Sequence, residues 1–357
     1  MNAAELAALV AEKRSLSDLE LAGADLAGLT CRGGVLLDCD FSGADLSRAR
    51  LELMQLINCN FTGARLPEAN FSRVMLVNCE AGEADLSGAY LEKVLGQKSA
   101  LGGVRLAGAT LTKSLWQECD LSGAVLAGAK LPKSAIIQGS LAAADLAGAD
   151  LFQCVLKELD LSQANLAGVN FKNAVLLSCN LSGHDFSGLD FTQANLMESD
   201  FTGCNLSQAN LTKAFCQGAK MAGAVLTGAV GRFAVFRQAD LSGAVLRQAV
   251  LEMAIMQEAI LTGADLTGAN LSTAQLAGAV CQGARLDQAH LTIADLSHAD
   301  LRQASLAGAD LTRANLHRIV EEDTNWQGAG GDNITYTDPD RAASEDWAAG
   351  GSGKSGG

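Results

Sequence analysis

The side chains that could do chemistry in this chain are histidines, carboxylates and cysteines, and we consider the histidines first. The sequence holds four histidines, and His184 directly precedes Asp185, a pairing that general acid–base catalysis could use. His184 stands at a position predicted to face inward, whereas His290, His298 and His317 stand at positions predicted to face outward. No nucleophile elbow, zinc helix motif or phosphate loop accompanies them. We therefore expect no catalytic residue and predict that the chain is not an enzyme.

Carboxylates are frequent, but they recur at fixed intervals instead of converging. Pairs such as Asp38 with Asp40, or Glu118 with Asp120, follow the same spacing along the chain. A calcium site needs several oxygen ligands that meet in a flexible loop. Hydrogen bonding of Asp and Asn side chains to the backbone at turns explains the spacing more simply. We expect no metal, no cofactor and no small-molecule substrate.

Ten cysteines could suggest disulfides or a zinc site, but none belongs to a Cys-x-x-Cys pair. All of them fall on positions that the repeat described below places inside, so we expect buried, reduced thiols. The first residues do not resemble a secretory signal, and no run approaches the roughly 20 apolar residues of a membrane helix. We predict a cytoplasmic protein and leave non-classical secretion open.

A repeat of five residues underlies all of these positions. From Leu16 to Leu316 an apolar residue falls at almost every fifth position, and a small residue, usually Ala, stands two positions earlier. Residues two apart face the same way in an extended segment, and the Ser-Gly, Thr-Gly and Ala-Gly pairs that follow favour tight turns. Each pentad is therefore predicted to form one short side and one corner.

A second period of twenty residues shows how many corners close one coil. Cys39, Cys59, Cys79, Cys119 and Cys179 are separated by multiples of twenty. Four pentads per coil give a square cross-section, and the stretch from Leu16 to Leu316 then holds about 15 coils.

The repeat resembles that of the pentapeptide repeat proteins, whose motif is A(D/N)LXX. The motif occurs at Ala24-Asp25-Leu26, Ala44-Asp45-Leu46, Ala164-Asn165-Leu166, Ala194-Asn195-Leu196, Ala264-Asp265-Leu266, Ala294-Asp295-Leu296 and Ala314-Asn315-Leu316. The resemblance implies an all-β fold, a right-handed quadrilateral β-helix. We predict three regions: an N-terminal capping helix in 1–15, a pentapeptide-repeat β-helix in 16–328, and an acidic, Gly-rich, disordered tail in 329–357.

A few residues depart from the repeat. Gly96 and Gly231 leave inward positions without a side chain, and Trp116 overfills one. We expect local distortion or a bulge near Gly96 and near Gly231.

One side of the predicted coil is apolar on its outside. Nine of the twelve outward residues from 35 to 255 in steps of twenty are large and apolar, against three of twelve on the opposite side. We call the following residues the apolar face: Val35, Leu37, Ile57, Met75, Val77, Leu95, Leu115, Ile137, Val155, Val175, Leu177, Met197, Phe215, Val235 and Ile255. A basic edge runs alongside: Arg73, Lys93, Lys113, Lys133 and Lys213. Such a face either binds a partner or only stabilises the stacked strands.

The leading functional hypothesis is a non-enzymatic bacterial interaction scaffold that binds a protein partner, or a second copy of itself, through the apolar face. The net charge of −14 argues against direct binding of nucleic acid. The family resemblance implies two alternatives. One is a modulator of DNA gyrase that mimics duplex DNA, and the other is an accessory protein or translocated effector of a type VI secretion system.

Overall fold

A computed structural model describes residues 1–351, so the last residues of the predicted tail, 352–357, lie outside the described residues. The chain divides into two units. The first unit holds Met1–Asp185 and Leu189–Asp200, and the second holds Phe186–Gly188 and the residues from Phe201 onwards.

The first unit begins with helix α1, Ala3–Lys13, which confirms the predicted N-terminal helix. Asn2 caps this helix, because its Oδ1 accepts the Glu5 N–H at 3.0 Å while the Asn2 N–H donates to the Glu5 carboxylate at 2.9 Å. The helix ends at Lys13, and the residue that caps it, Arg14, has the left-handed conformation. Leu6 and Val10 are buried, and α1 packs on the first two strands of the sheet that follows.

That sheet is parallel and its nine strands stand in chain order. The strands are β1 Ser15–Ser17, β2 Thr30–Leu37, β3 Arg50–Ile57, β4 Met75–Val77, β5 Leu95–Gln97, β6 Leu115–Gln117, β7 Ala135–Ile137, β8 Val155–Lys157 and β9 Val175–Leu177. Each residue pairs with the residue twenty positions later, as Val155 does with Val175. The chain is thus a parallel β-solenoid whose turn is twenty residues long.

The number of regular turns differs from the prediction. Nine strands define eight turns of sheet, fewer than the coils that the period alone predicts. A regular strand forms only where three consecutive residues are extended. The twenty-residue period predicts one coil for every twenty residues, whether or not that coil contains such a strand. On the other sides of the coil, and in the second unit, single-residue bridges keep the same spacing, as between Val235 and Ile255 or between Asn315 and Thr335.

The expected distortion at Gly96 is absent, and the neighbouring coil supplies the reason. Strand β5 runs through Gly96, which pairs with Leu76 on one side and with Trp116 on the other. The Trp116 ring fills the space, since a Cβ on Gly96 would lie 2.4 Å from Trp116 Cε3. The Trp116 Nε1–H donates to the Ser114 hydroxyl at 2.8 Å, so the buried indole is also satisfied.

Gly231, in the second unit, is accommodated in the same manner. A Cβ there would lie 2.9 Å from Leu251 Cδ2 and 3.5 Å from a ring carbon of Phe236. The Gly231 N–H donates to the Val250 carbonyl at 2.8 Å, so the register continues. A missing side chain in one coil is therefore filled by larger neighbours and does not disturb the backbone.

The C-terminal segment differs from the disorder predicted for it. Gly330 forms a bridge with Asp310 and Thr335 forms one with Asn315, so the coil pattern extends past residue 328. Helix α2 then spans Pro339–Gly351. The Asp338 carboxylate precedes it and accepts the N–H groups of Asp340 and Arg341, as an N-terminal cap does. No helix among the described residues is long and apolar enough to cross a membrane.

Candidate interaction surfaces

The first unit brings most of the predicted apolar face together on the nine-stranded sheet. In β4 to β9 the middle residue is buried and the two flanking residues, which point away from the core, are half-buried. Val155 and Val175 lie side by side, and Leu177 follows on the next outward position. Gln97, Gln117 and Lys157 interrupt the apolar residues. The result is a mixed surface, apolar along one edge and partly polar along the other.

Met197 belongs to the first unit but lies outside the nine strands, where it is half-buried. The last three predicted members, Phe215, Val235 and Ile255, belong to the second unit. Bridges join Phe215 to Val235 and Val235 to Ile255, so the three stack in register. Phe215 is 49% exposed, whereas the other two are half-buried.

The basic edge lies at corners of the coil. Arg73, Lys93, Lys113 and Lys133 all have positive φ and stand two residues before a strand of the first unit. Lys93 pairs with the neighbouring Glu92 at 3.0 Å. Within the described part of the chain, the other three form no ion pair, and neither does Lys213 in the second unit. Glu92 lies beside this edge, because Lys93, and then Lys113 and Arg73, lower the pKa of its carboxyl.

The family model for pentapeptide repeats matches this chain between residues 16 and 319, with short gaps. The chain belongs to the pentapeptide repeat family. The matched stretch is the one whose inward residues recur every fifth position and whose bridges recur every twentieth.

The solved structures similar to this chain include other pentapeptide repeat proteins. HetL, involved in heterocyst differentiation regulation in Nostoc sp. strain PCC 7120, is 26% identical, with 75% of this chain and 96% of that chain covered and a TM-score of 0.26. QnrB1, a plasmid-mediated fluoroquinolone resistance protein, is 19% identical over 70% and 96% of the two chains, at a TM-score of 0.23. A protein of the Arabidopsis thaliana thylakoid lumen is 30% identical over 29% and 69%, at 0.18. A comparison with curated proteins gives no match.

The two side chains that the sequence offered for acid–base chemistry, His184 and Asp185, are part of a corner. His184 is half-buried, and its Nε2 lies 2.8 Å from the Leu161 carbonyl oxygen. A carbonyl only accepts, so this nitrogen carries a proton and donates. The contact ties one coil to the previous one, which is a structural role.

The cysteine side chains lie in the core of the coil, and burial makes several of their thiols unreactive. All ten cysteines are buried, and none of them forms a disulfide. Burial raises the pKa of Cys154, Cys216 and Cys281 to about 12, so these thiols stay protonated at neutral pH and are poor nucleophiles.

A cluster that sequence reasoning missed lies in the second unit, where His298, His317 and Glu345 meet. Both Nε2 atoms face Glu345 Oε2, at 3.5 Å from His298 and 3.2 Å from His317. Among the described residues, no other group of three possible metal ligands converges to within 4.8 Å. His317, predicted to face outward, is buried. No sequence signal indicates this, because Glu345 lies on α2, 28 residues further along.

The hydrogen bonds of His317 decide what this cluster can do. The Asp338 N–H donates to His317 Nδ1 at 3.2 Å. In a neutral imidazole the other nitrogen, Nε2, then carries the proton and donates to Glu345. A metal would need the lone pair of Nε2 and would leave Nδ1 as the donor, opposite to what is seen. The cluster therefore acts as a clamp for α2, reinforced by Arg318, which donates to Asp346 at 2.7 Å.

The recurrent carboxylates are corner residues, as the turn interpretation expects. Asp45 Oδ1 accepts the Ser47 N–H at 2.9 Å, and Asp160 and Asp310 accept the N–H two residues later in the same geometry. Hydrogen bonds from Ser or Thr hold the pKa of these three carboxyls below the usual value. Asn side chains accept the same hydrogen bond at other corners, for example Asn60 Oδ1 from the Thr62 N–H.

We expect these corners to make the protein acid-sensitive. A carboxyl whose pKa is lower when folded stabilises the fold above its unfolded pKa of about 3.9, and this contribution is lost as the pH falls through the folded value. In the triple variant Asp45→Asn, Asp160→Asn, Asp310→Asn, the amide oxygens accept the same bonds without titrating. Its melting temperature should therefore fall less between pH 5 and pH 3 than that of the wild type.

Thermal melts followed by circular dichroism at pH 7, 5, 4 and 3 measure this difference. Asp338→Asn, which changes a carboxylate outside the repeat corners, is the matched control. Equal acid losses in the triple variant and the wild type would show that the corner carboxylates do not set the acid limit.

Proposed function

We propose that this pentapeptide repeat protein is a non-enzymatic interaction protein that binds a protein partner through the sheet face of the first unit. The observation that carries the proposal is the stack of large apolar residues, with Val155, Val175 and Leu177 at its end, that stays half-exposed to water. Among the described elements, β4 to β9 contact only their neighbouring strands. A contiguous apolar surface of this kind is usually an interaction site.

The neighbouring basic edge indicates which charge the partner is expected to carry. Arg73, Lys113 and Lys133 flank the apolar stack and form no ion pair among the described residues, although the charges of Lys113 and Arg73 reach the Glu92 carboxylate. Such a rim favours a partner with acidic groups around an apolar centre, because complementary charge fixes orientation and speeds association. A second copy of this chain would bring the same cations and so fits less well.

The competing explanation is that the stacked β-branched residues only stabilise the sheet. One set of substitutions distinguishes partner binding from stabilisation of the sheet. We expect the triple variant Val155→Thr, Val175→Thr, Leu177→Thr to keep strand propensity, and hence the fold, while losing the apolar surface. Its melting temperature should fall by only a few degrees. The partner that co-purifies with the wild type from the native host should be lost.

Val125→Thr is the matched control, because it makes the same exchange on the opposite side of the coil. Partner identity and amount are read by quantitative mass spectrometry, and self-association by light scattering. A triple variant that retains every partner and the same mass would contradict the proposal. Inhibition or protection of gyrase supercoiling by wild type and triple variant alike would assign the function to the acidic surfaces instead.

A further inference from the structure

A second surface emerges from the residues that occupy the corners of the coil. Positive φ recurs at these corners, and most of the residues there are Gly or polar. Four large apolar residues break this rule among the described residues: Leu53, Phe233, Met253 and Ile293, with φ of 60°, 59°, 57° and 61°. Their numbers differ by multiples of twenty, so all four stand at the same corner of the twenty-residue coil.

The fold does not require large apolar side chains at these four corner positions. The left-handed conformation is disfavoured for bulky side chains and most of all for a β-branched one such as Ile293. Burial offsets only part of that cost, because Phe233, Met253 and Ile293 remain 49%, 48% and 45% exposed. Backbone strain kept where packing does not require it points to a function of the side chain.

In the second unit three of them form one ridge. Backbone hydrogen bonds run from Phe233 to Glu252, from Met253 to Ser272, from Thr273 to Thr292 and from Ile293 to Thr312, each at 2.8–3.1 Å. Phe233, Met253, Thr273 and Ile293 are thus stacked one coil above another, and we call them the corner ridge. Lys213 precedes the ridge at the same corner and Arg313 follows it. Neither cation forms an ion pair within the described part of the chain.

We propose that the corner ridge docks an amphipathic α-helix of a partner protein that carries acidic residues at both ends of its apolar stripe. Stacked coils repeat every ~4.8 Å and turns of an α-helix every ~5.4 Å, so apolar residues on successive helical turns stay opposite successive ridge residues. The five steps from Lys213 to Arg313 span about 24 Å, the length of about 16 helical residues.

Charge distinguishes this occupant from a second copy of the chain. An antiparallel pairing of two ridges would place Lys213 opposite Arg313, and a parallel pairing would place each cation opposite its own equivalent. Like charges face each other in both cases, which disfavours the complex. A helix with Glu or Asp at both ends meets opposite charge at each end of the ridge. This surface belongs to the second unit, so its proposal does not depend on the sheet face of the first.

The experiment uses the full chain and three labelled 16-residue peptides: an amphipathic helix with Glu at both ends, the same helix with Lys at both ends, and a scrambled form of the first. Fluorescence anisotropy should show that the Glu-ended peptide binds at least tenfold more tightly than the other two. The double variant Phe233→Asn, Met253→Asn should lose at least tenfold in affinity. Its melting temperature should stay the same or rise, because Asn accepts positive φ more readily.

A charge reversal completes the test. The variant Lys213→Glu, Arg313→Glu should bind the Lys-ended peptide in preference to the Glu-ended one, with the ridge unchanged. Equal binding of the three peptides by the wild type would overturn the proposal. So would a lower melting temperature in the double Asn variant, which would make Phe233 and Met253 structural. A dimer of the wild type that the double Asn variant abolishes would replace the helix by a second copy.

Discussion

Replacing Gly96 with Leu is expected to destabilise the protein by about 3 kcal/mol, the upper range for overfilling a packed core. A Cβ at this position would lie 2.4 Å from the Trp116 ring, and a whole Leu side chain would need the volume that the ring occupies. Replacing Trp116 with Leu should cost a similar amount, about 3 kcal/mol, because it leaves a cavity beside Gly96. The backbone at Gly96 is ordinary for a strand, so Leu is excluded by volume alone.

The double variant Gly96→Leu, Trp116→Leu is therefore expected to recover most of the loss. It restores the usual column, in which Leu76 and Ile136 already lie on either side. Ser114 remains satisfied without the indole, because its hydroxyl also donates to the Leu111 carbonyl at 2.6 Å. Urea unfolding of the four proteins gives the coupling energy, which we expect to approach the sum of the two single losses, about 6 kcal/mol. Additive losses would show that the two residues do not share one volume.

Replacing Leu6 with Asp in helix α1 is expected to cost about 4 kcal/mol, because it removes a buried apolar side chain and buries a charge in its place. Leu6 is fully buried, and α1 covers the first strands of the solenoid. A terminal coil without its cap exposes core residues and unpaired strand groups. We therefore also expect the variant to aggregate at concentrations at which the wild type is stable in solution.

Ala8→Asp is the matched control for this variant. It lies on the exposed side of the same helix, so it carries a similar loss of helix propensity without the loss of burial, and its effect should stay below about 1 kcal/mol. Thermal melts and size-exclusion chromatography compare the three proteins. A Leu6→Asp protein as stable as the Ala8→Asp protein would show that the first coil needs no cap.

The sequence predicted which positions face the core and which face outward, because in this repeat the orientation of a residue depends on its place within its own pentad. A residue's place in the pentad determines whether it faces the core, and its place in the twenty-residue period determines which side of the coil it occupies. The parallel register, the burial of all ten cysteines and the stacking of Val155 on Val175 follow from these two periods. The family follows from the same repeat.

Relations between coils were decided only by the tertiary structure. Gly96 looked like a defect in its own pentad, but the ring that fills its space comes from Trp116, twenty residues later. His317 looked exposed, but α2 covers it with a carboxylate that the repeat does not predict. Which sides of the coil form regular strands was likewise decided by the tertiary structure, because a strand requires three consecutive extended residues, and the other sides form only single-residue bridges.

The sequence by itself thus determined the periodic part of this protein: the solenoid, its four sides and its core. The tertiary structure decided the exceptions, namely the filled space at Gly96, the clamp on α2 and the exposed ridge of Phe233, Met253 and Ile293. The physical reason is that a repeat encodes contacts within one period, whereas each exception depends on volume, charge or exposure contributed by residues outside its own pentad.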